Sequence, residues 1–226
     1  NIQAPFIMYE GRGQTIHEAY RSIKAQSSRY LYPNHMQILI INENLAKEDI
    51  TQIIDLYLRI PDIRTEFNVL IGQNENILNI TTPIDDVSST SILDTMKTNN
   101  KYLGITNFVT FNELAEMNIN KNKEIVLPSI KAIEYNEEAT TTKNTEKTTI
   151  KSLYELENLA IFKDNKLKGY LTKDESITYN LIKNKVASIL ITKECEKDKY
   201  MTVEATDIKT DIKTKNKEIN INVKMS

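Results

Sequence analysis

Two unbroken apolar runs, Met36 to Asn42 and Phe67 to Ile71, flank a stretch whose apolar residues recur at helical spacing. No other feature of this sequence restricts its fold so tightly. In the intervening stretch Ile50, Ile53, Ile54, Tyr57 and Leu58 follow the i, i+3, i+4, i+7, i+8 rhythm of a helix with one buried face. Pro61 limits its extension. A run without polar alternation suits a strand buried on both sides, as in parallel sheets covered by helices. Upstream, Ile2 to Tyr9 suits another strand, and Gly11-Arg12-Gly13 turns the chain. Thr15-Ile16-His17-Glu18 has the capping-box form and opens a helix along Ile16, Ala19, Tyr20 and Ile23, expected to end near Ser27 or Ser28. The order strand, helix, strand, helix, strand predicts parallel pairing through right-handed crossovers. Further helices are expected over Ser88 to Met96 and Phe111 to Met117.

The pattern changes beyond Asn120. Glu124 to Tyr135 reads as extended, with Pro128 marking an edge or a bend. Residues 136–152 are rich in Thr, Lys and Glu without apolar periodicity, which predicts a mobile loop. Leu159 to Lys163 and Lys166 to Leu171 flank Asp164-Asn165, a pair that tolerates the positive φ of a tight hairpin turn. Thr172-Lys173-Asp174-Glu175 repeats the capping-box form and opens a helix through Tyr179 and Leu181. Val186 to Thr192, Tyr200 to Thr206 and Glu218 to Val223 complete the set as strands. The expected layout is α/β plus α+β. A domain over 1–120 carries a mostly parallel or mixed sheet with flanking helices, and a domain over 121–226 carries a mainly antiparallel sheet with a helix.

Chemistry is hard to find in these residues. Lys and Arg number 29 against 31 Asp and Glu, a formal net charge of −2. That lacks the basic footprint that phosphate backbones require, so nucleic acid is not an expected partner. The longest apolar runs fall far short of the roughly 20 residues of a membrane helix. Cys195 is the one cysteine, so neither a disulfide framework nor a cysteine zinc site is available. The histidines His17 and His35 lack a nucleophile motif or convergent ligands, and no phosphate-binding glycine loop occurs. Asp85-Asp86 and Asp174-Glu175 are adjacent pairs that diverge on regular elements, and helix N-terminal placement accounts for them. Neighbouring acids disfavour a thiolate at Cys195. The expectation is no enzyme, no metal and no organic cofactor. Asn1 is expected to be an internal position of a longer precursor.

One ordered series of motifs goes beyond generic folding. Gly13-Gln14-Thr15-Ile16-His17-Glu18-Ala19 leads to Tyr32-Pro33-Asn34-His35, the strand Gln37 to Ile41, Glu43-Asn44-Leu45-Ala46, and Leu58-Arg59-Ile60-Pro61-Asp62-Ile63-Arg64. Val126-Leu127-Pro128-Ser129-Ile130 and the hairpin from Leu159 to Leu171 follow. This order resembles the Ger(x)C lipoproteins, the C subunits of spore germinant receptors.

The resemblance implies a non-enzymatic lipoprotein subunit, lipid-anchored on the outer face of the inner spore membrane. Its partners would be the membrane-embedded subunits of a nutrient germinant receptor complex acting in spore germination. The first strand with its lipid-modified cysteine and a third, C-terminal domain are expected to lie outside these residues. Candidate partner contacts are Arg59, Asp62 and Arg64, together with the open edge of the second domain's sheet. His35 is expected to be structural, with a ring nitrogen bonded to backbone at the entry to a buried strand. Two other readings remain open: a generic extracytoplasmic protein-binding module, and a small hydrolase using His35 with a distant carboxylate.

Overall fold

The computed structural model describes residues 9–27, 32–60, 63–73, 88–120, 123–134, 152–197, 199–215 and 218–226. The strand expected at Ile2 to Tyr9 and the loop expected at 136–152 lie outside them, save Tyr9 at the end of the first and Ser152 at the end of the second.

A five-stranded mixed sheet organises the chain, in the order β1 (Ile38–Asn42), β2 (Asn68–Gly72), β3 (Val126–Glu134), β4 (Ser152–Lys163) and β5 (Lys166–Tyr170). The first three strands pair in parallel, and β3–β4 and β4–β5 pair antiparallel. The expected parallel crossovers and the expected hairpin therefore meet in one sheet, which draws strands from both sides of Asn120. Asp164 and Asn165 make the hairpin turn at φ 51° and 60°, the left-handed backbone that short polar residues tolerate.

Period-two alternation places each strand against two helical layers. On one face Val69, Ile71 and Leu127 meet α2 (Glu43–Glu48), α3 (Thr51–Arg59) and α5 (Phe111–Ile119) through Ala46, Ile53, Ile54 and Leu114. The rings of Tyr57, Phe67 and Phe111 lock this layer, with centroids 5.0–5.6 Å apart. On the other face Leu70, Ile130 and Leu156 receive Ile92 and Met96 of α4 (Ser88–Tyr102). Strand β1 is only half-buried except at Ile41, not buried on both faces as its apolar run predicts. It stands at the end of the sheet among the described residues, where one neighbour is missing. Pro128 sits at a register shift in a central strand, so the bend is realised and the edge is not.

Local chemistry accounts for the helix starts. α1 (Ile16–Lys24) is capped by Thr15 Oγ1, which accepts from Glu18 N at 3.1 Å, but Glu18 reaches back to Gln14 N instead of the cap residue. The box is thus half-formed, and the helix ends at Lys24, short of the expected Ser27. α5 and α6 (Lys173–Ile182) carry complete boxes, Thr110 with Glu113 and Thr172 with Glu175.

Beyond α6 come two antiparallel ribbons, β6 (Ser188–Glu196) with β7 (Lys199–Thr206), and β8 (Lys209–Lys215) with β9 (Glu218–Lys224). Val186, Ile189 and Ala205 form a small second core with Ile177, Leu181 and Ile208. The architecture is the α/β plus α+β class that the sequence predicts, with β8 as an unforeseen strand.

Candidate partner-binding surfaces

On α3, residues four apart lie one above the other. The sequence Asp55-Leu56-Tyr57-Leu58-Arg59 therefore stacks Asp55 under Arg59 on the outer face. Arg59 Nε donates to both carboxylate oxygens, at 2.8 and 2.9 Å. Both side chains are exposed, so solvent screens the pair and it adds little to stability. The carboxylate also holds Arg59 further toward its charged form. Helix α1 packs across α3 and leaves a cleft of about 320 Å³ floored by Ile16, Leu56 and Ile60, with His17 and Arg59 at its rim. Arg59 is thus a charged group beside an apolar groove. Arg64 is exposed in the following segment, and Asp62 lies outside the described residues.

His35 falls in a 3₁₀ turn, Pro33–His35, at the entry to β1. Its side chain is exposed, with its ring tilted against that of Tyr32 at a centroid distance of 5.9 Å. No acid is hydrogen-bonded to it among the described residues, and it does not line the α1–α3 cleft. Cys195 is exposed. Glu175 is occupied in its capping box, and Asp85-Asp86 lies outside the described residues. Among those residues no group of three His, Cys, Asp or Glu is placed to hold a metal, and no helix is long and apolar enough to cross a membrane.

The ribbons carry an apolar surface that sequence reasoning left unread. In β8–β9 the pairs Thr210–Val223, Ile212–Ile221 and Thr214–Ile219 share one face. The pairs Lys209–Lys224, Asp211–Asn222, Lys213–Asn220 and Lys215–Glu218 share the other. Ile219 is 67% exposed and Ile212 and Ile221 nearly half. In β6–β7 Ile191, Val203 and Met201 continue outward from the buried Ile189–Ala205 pair and are likewise exposed. A two-stranded ribbon is marginal alone in water and ordinarily needs a third strand or a covering element. The alternation Glu218-Ile219-Asn220-Ile221-Asn222-Val223 held the signal, since a strand with one wholly apolar face is built to have that face covered.

The described residues form a layered mixed sheet followed by two ribbons with exposed apolar faces. The family described as the spore germination protein N-terminal domain matches residues 1–132. The family described as spore germination B3/GerAC-like, C-terminal, matches residues 157–226. The chain belongs to this spore germination family of receptor C subunits. It is 28% identical over 230 residues to spore germination protein KC of Bacillus subtilis (strain 168), covering 98% of this chain and 56% of that protein. The crystal structure of the GerBC protein superposes with a TM-score of 0.52 at 16% identity, covering 92% of this chain and 57% of that one. The chain therefore spans a little over half the length of the relatives it matches.

Proposed function

We propose that the protein is a non-enzymatic, lipid-anchored subunit of a nutrient germinant receptor on the outer face of the inner spore membrane, bound to membrane-embedded subunits of the same complex. The observation that carries this reading is the pairing of the two family matches with ribbon faces that are apolar by design and uncovered among the described residues. Near-neutral net charge gives little long-range steering. A membrane anchor replaces it by raising the effective concentration, so each surface patch can be individually weak. The rim of the α1–α3 cleft at Arg59, with Arg64 in the segment that follows α3, is the second contact face in this reading. Asp62, between them in the chain, belongs to the same proposal.

Co-purification of the tagged full-length protein with its receptor subunits from spore membranes tests the assignment. Wild-type protein is expected to bring them down, and R59E/R64E to bring down less while its melting temperature is unchanged. Wild-type protein recovered without any membrane subunit would refute the reading. Normal assembly of the double variant would remove the cleft rim alone.

A further inference from the structure

The two ribbons are joined by one backbone pair. Thr206 N donates to Ser226 O at 2.9 Å, and Ser226 N donates to Thr206 O at 3.1 Å. Two residues that exchange both bonds form a hydrogen-bonded pair of an antiparallel ladder. Ser226 therefore runs antiparallel to β7. The β8–β9 ladder leads into this pair, since its innermost partners are Lys209 and Lys224. Between the two pairs lie Asp207 and Ile208 on one side and Met225 alone on the other. Two residues opposite one make a β-bulge. Asp207 supplies left-handed backbone for it, at φ 48°, and Ser226 Oγ bonds Asp207 Oδ2 at 3.3 Å. β7 and β8 are thus two halves of one bent strand. β9 pairs with the second half, and Ser226 begins the pairing with the first.

The rest of that first half has no partner on its outer side among the described residues. Alternate residues of an antiparallel strand turn their N–H and C=O groups to the same side. Thr206 turns both away from β6, so Thr202 and Glu204 do the same, while Val203 and Ala205 face Ile191 and Ile189 of β6. Thr202 and Glu204 are exposed, and so are Met201 and Val203 on the apolar face. An open edge on a two-stranded ribbon is a template for a third strand. The chain covers 56% of spore germination protein KC and 57% of GerBC, so relatives of this length hold ample chain to supply one.

We propose that the residues following Ser226 in the full-length protein form a strand along the outer edge of β7, which merges the two ribbons into one bent three-stranded sheet. The register of Thr206 with Ser226 sets the second residue after Ser226 opposite Glu204, and the fourth opposite Thr202. The first, third and fifth fall beside Ala205, Val203 and Met201, where apolar side chains extend the small core of Val186 and Ile189. The edge is independent of the receptor reading. Exchange of individual backbone amides with heavy water is compared in the 226-residue chain and the full-length protein. In the shorter chain Thr202 and Glu204 are expected to exchange fast, and Val203 and Ala205 slowly. In the full-length protein Thr202 and Glu204 should slow on the order of tenfold or more, the size of one added hydrogen bond. Proline in place of the second residue after Ser226 removes a ladder donor and should restore fast exchange at both, with β3 and β4 still protected. Equally fast exchange of Thr202 and Glu204 in the two chains would overturn the proposal. So would protection that survives the proline, which would assign the edge to a second copy or to another partner.

Discussion

The side-chain amide of Asn180 donates to Gly104 O at 2.9 Å, bridging 76 positions of sequence from the last turn of α6 to the turn after α4. The same nitrogen lies 2.9 Å from Ile105 O and 3.3 Å from Thr106 O, so its two protons serve three successive carbonyls. Asn100 Nδ2 adds bonds to Thr106 O and Lys185 O, and Ser188 Oγ bonds Lys101 O. The apolar cluster at this joint is small, so the join between the main sheet and the ribbon region is largely polar. Removing one member strands buried carbonyls, which costs more than the bond itself contributes.

Asn180→Leu is therefore expected to destabilise the protein by about 1–3 kcal/mol, because it keeps the branched shape and deletes the donors. Urea unfolding followed by circular dichroism reads this as a lower midpoint. An unchanged midpoint would show that the three carbonyls find water and that Asn180 is not the clamp.

Gly104 sits at φ 66°, and a Cβ there would lie 3.1 Å from Val186 Cγ1 and 3.3 Å from Ile189 Cγ2. Backbone strain alone costs an L-residue roughly 1–2 kcal/mol in that region, and the small core offers little slack. Gly104→Ala should lower the melting temperature, whereas Gly169→Ala, which meets nothing within 4 Å, should leave it nearly unchanged. Equal effects at both glycines would contradict the assigned cause.

In the α6 cap, Thr172 N and Oγ1 donate to Glu175 Oε2 at 2.7 and 2.9 Å. The backbone bond first, then the hydroxyl, hold the Glu175 carboxyl below its ordinary value of 4.5. A folded-state pKa below the unfolded one contributes stability that is complete above the ordinary value and is lost as pH falls through the depressed one. Thr172→Ala should cost about 1 kcal/mol at neutral pH. Glu175→Gln should flatten the loss of stability on acidification below the ordinary carboxylate range. An acid limb as steep in Glu175→Gln as in wild type would rule out this carboxyl as a contributor.

Features that rest on local chemistry were legible in the sequence. The Asp164–Asn165 turn, the Thr172 box and the amphipathic face of α3 all depend on residues a few positions apart, and each forms. β8 escaped because Lys209 to Lys215 has a single strong apolar residue, Ile212, and its strand character comes from the partner that follows it. The joint escaped because nothing nearby marks Asn100 and Asn180 as buried. Only tertiary packing brings their amides to carbonyls far along the chain. His35 was expected to bond backbone from inside the fold, but its exposure leaves it little to lose. His35→Ala should shift stability by no more than about 0.5 kcal/mol, the usual range for surface positions.

The ribbon faces give the last prediction. Ile212, Ile219 and Ile221 lie in register on one side of β8–β9, with lysines and acids on the other. An apolar face this exposed, beside strand edges that are unpaired among the described residues, favours association with itself or with hydrophobic dyes. The 226-residue chain should therefore bind an environment-sensitive dye while natively folded and sediment as larger species with rising concentration. Replacing Ile212 and Ile221 by Thr keeps β-branching and strand propensity while removing apolar area. It should cut dye binding and shift sedimentation toward the monomer, with little change in the melting temperature set by the main sheet. Unaltered dye binding in that variant would place the sticky surface elsewhere, on β6–β7 or in the α1–α3 cleft. The matching pair of substitutions, Ile191→Thr and Val203→Thr, separates those two, since only the ribbon would respond.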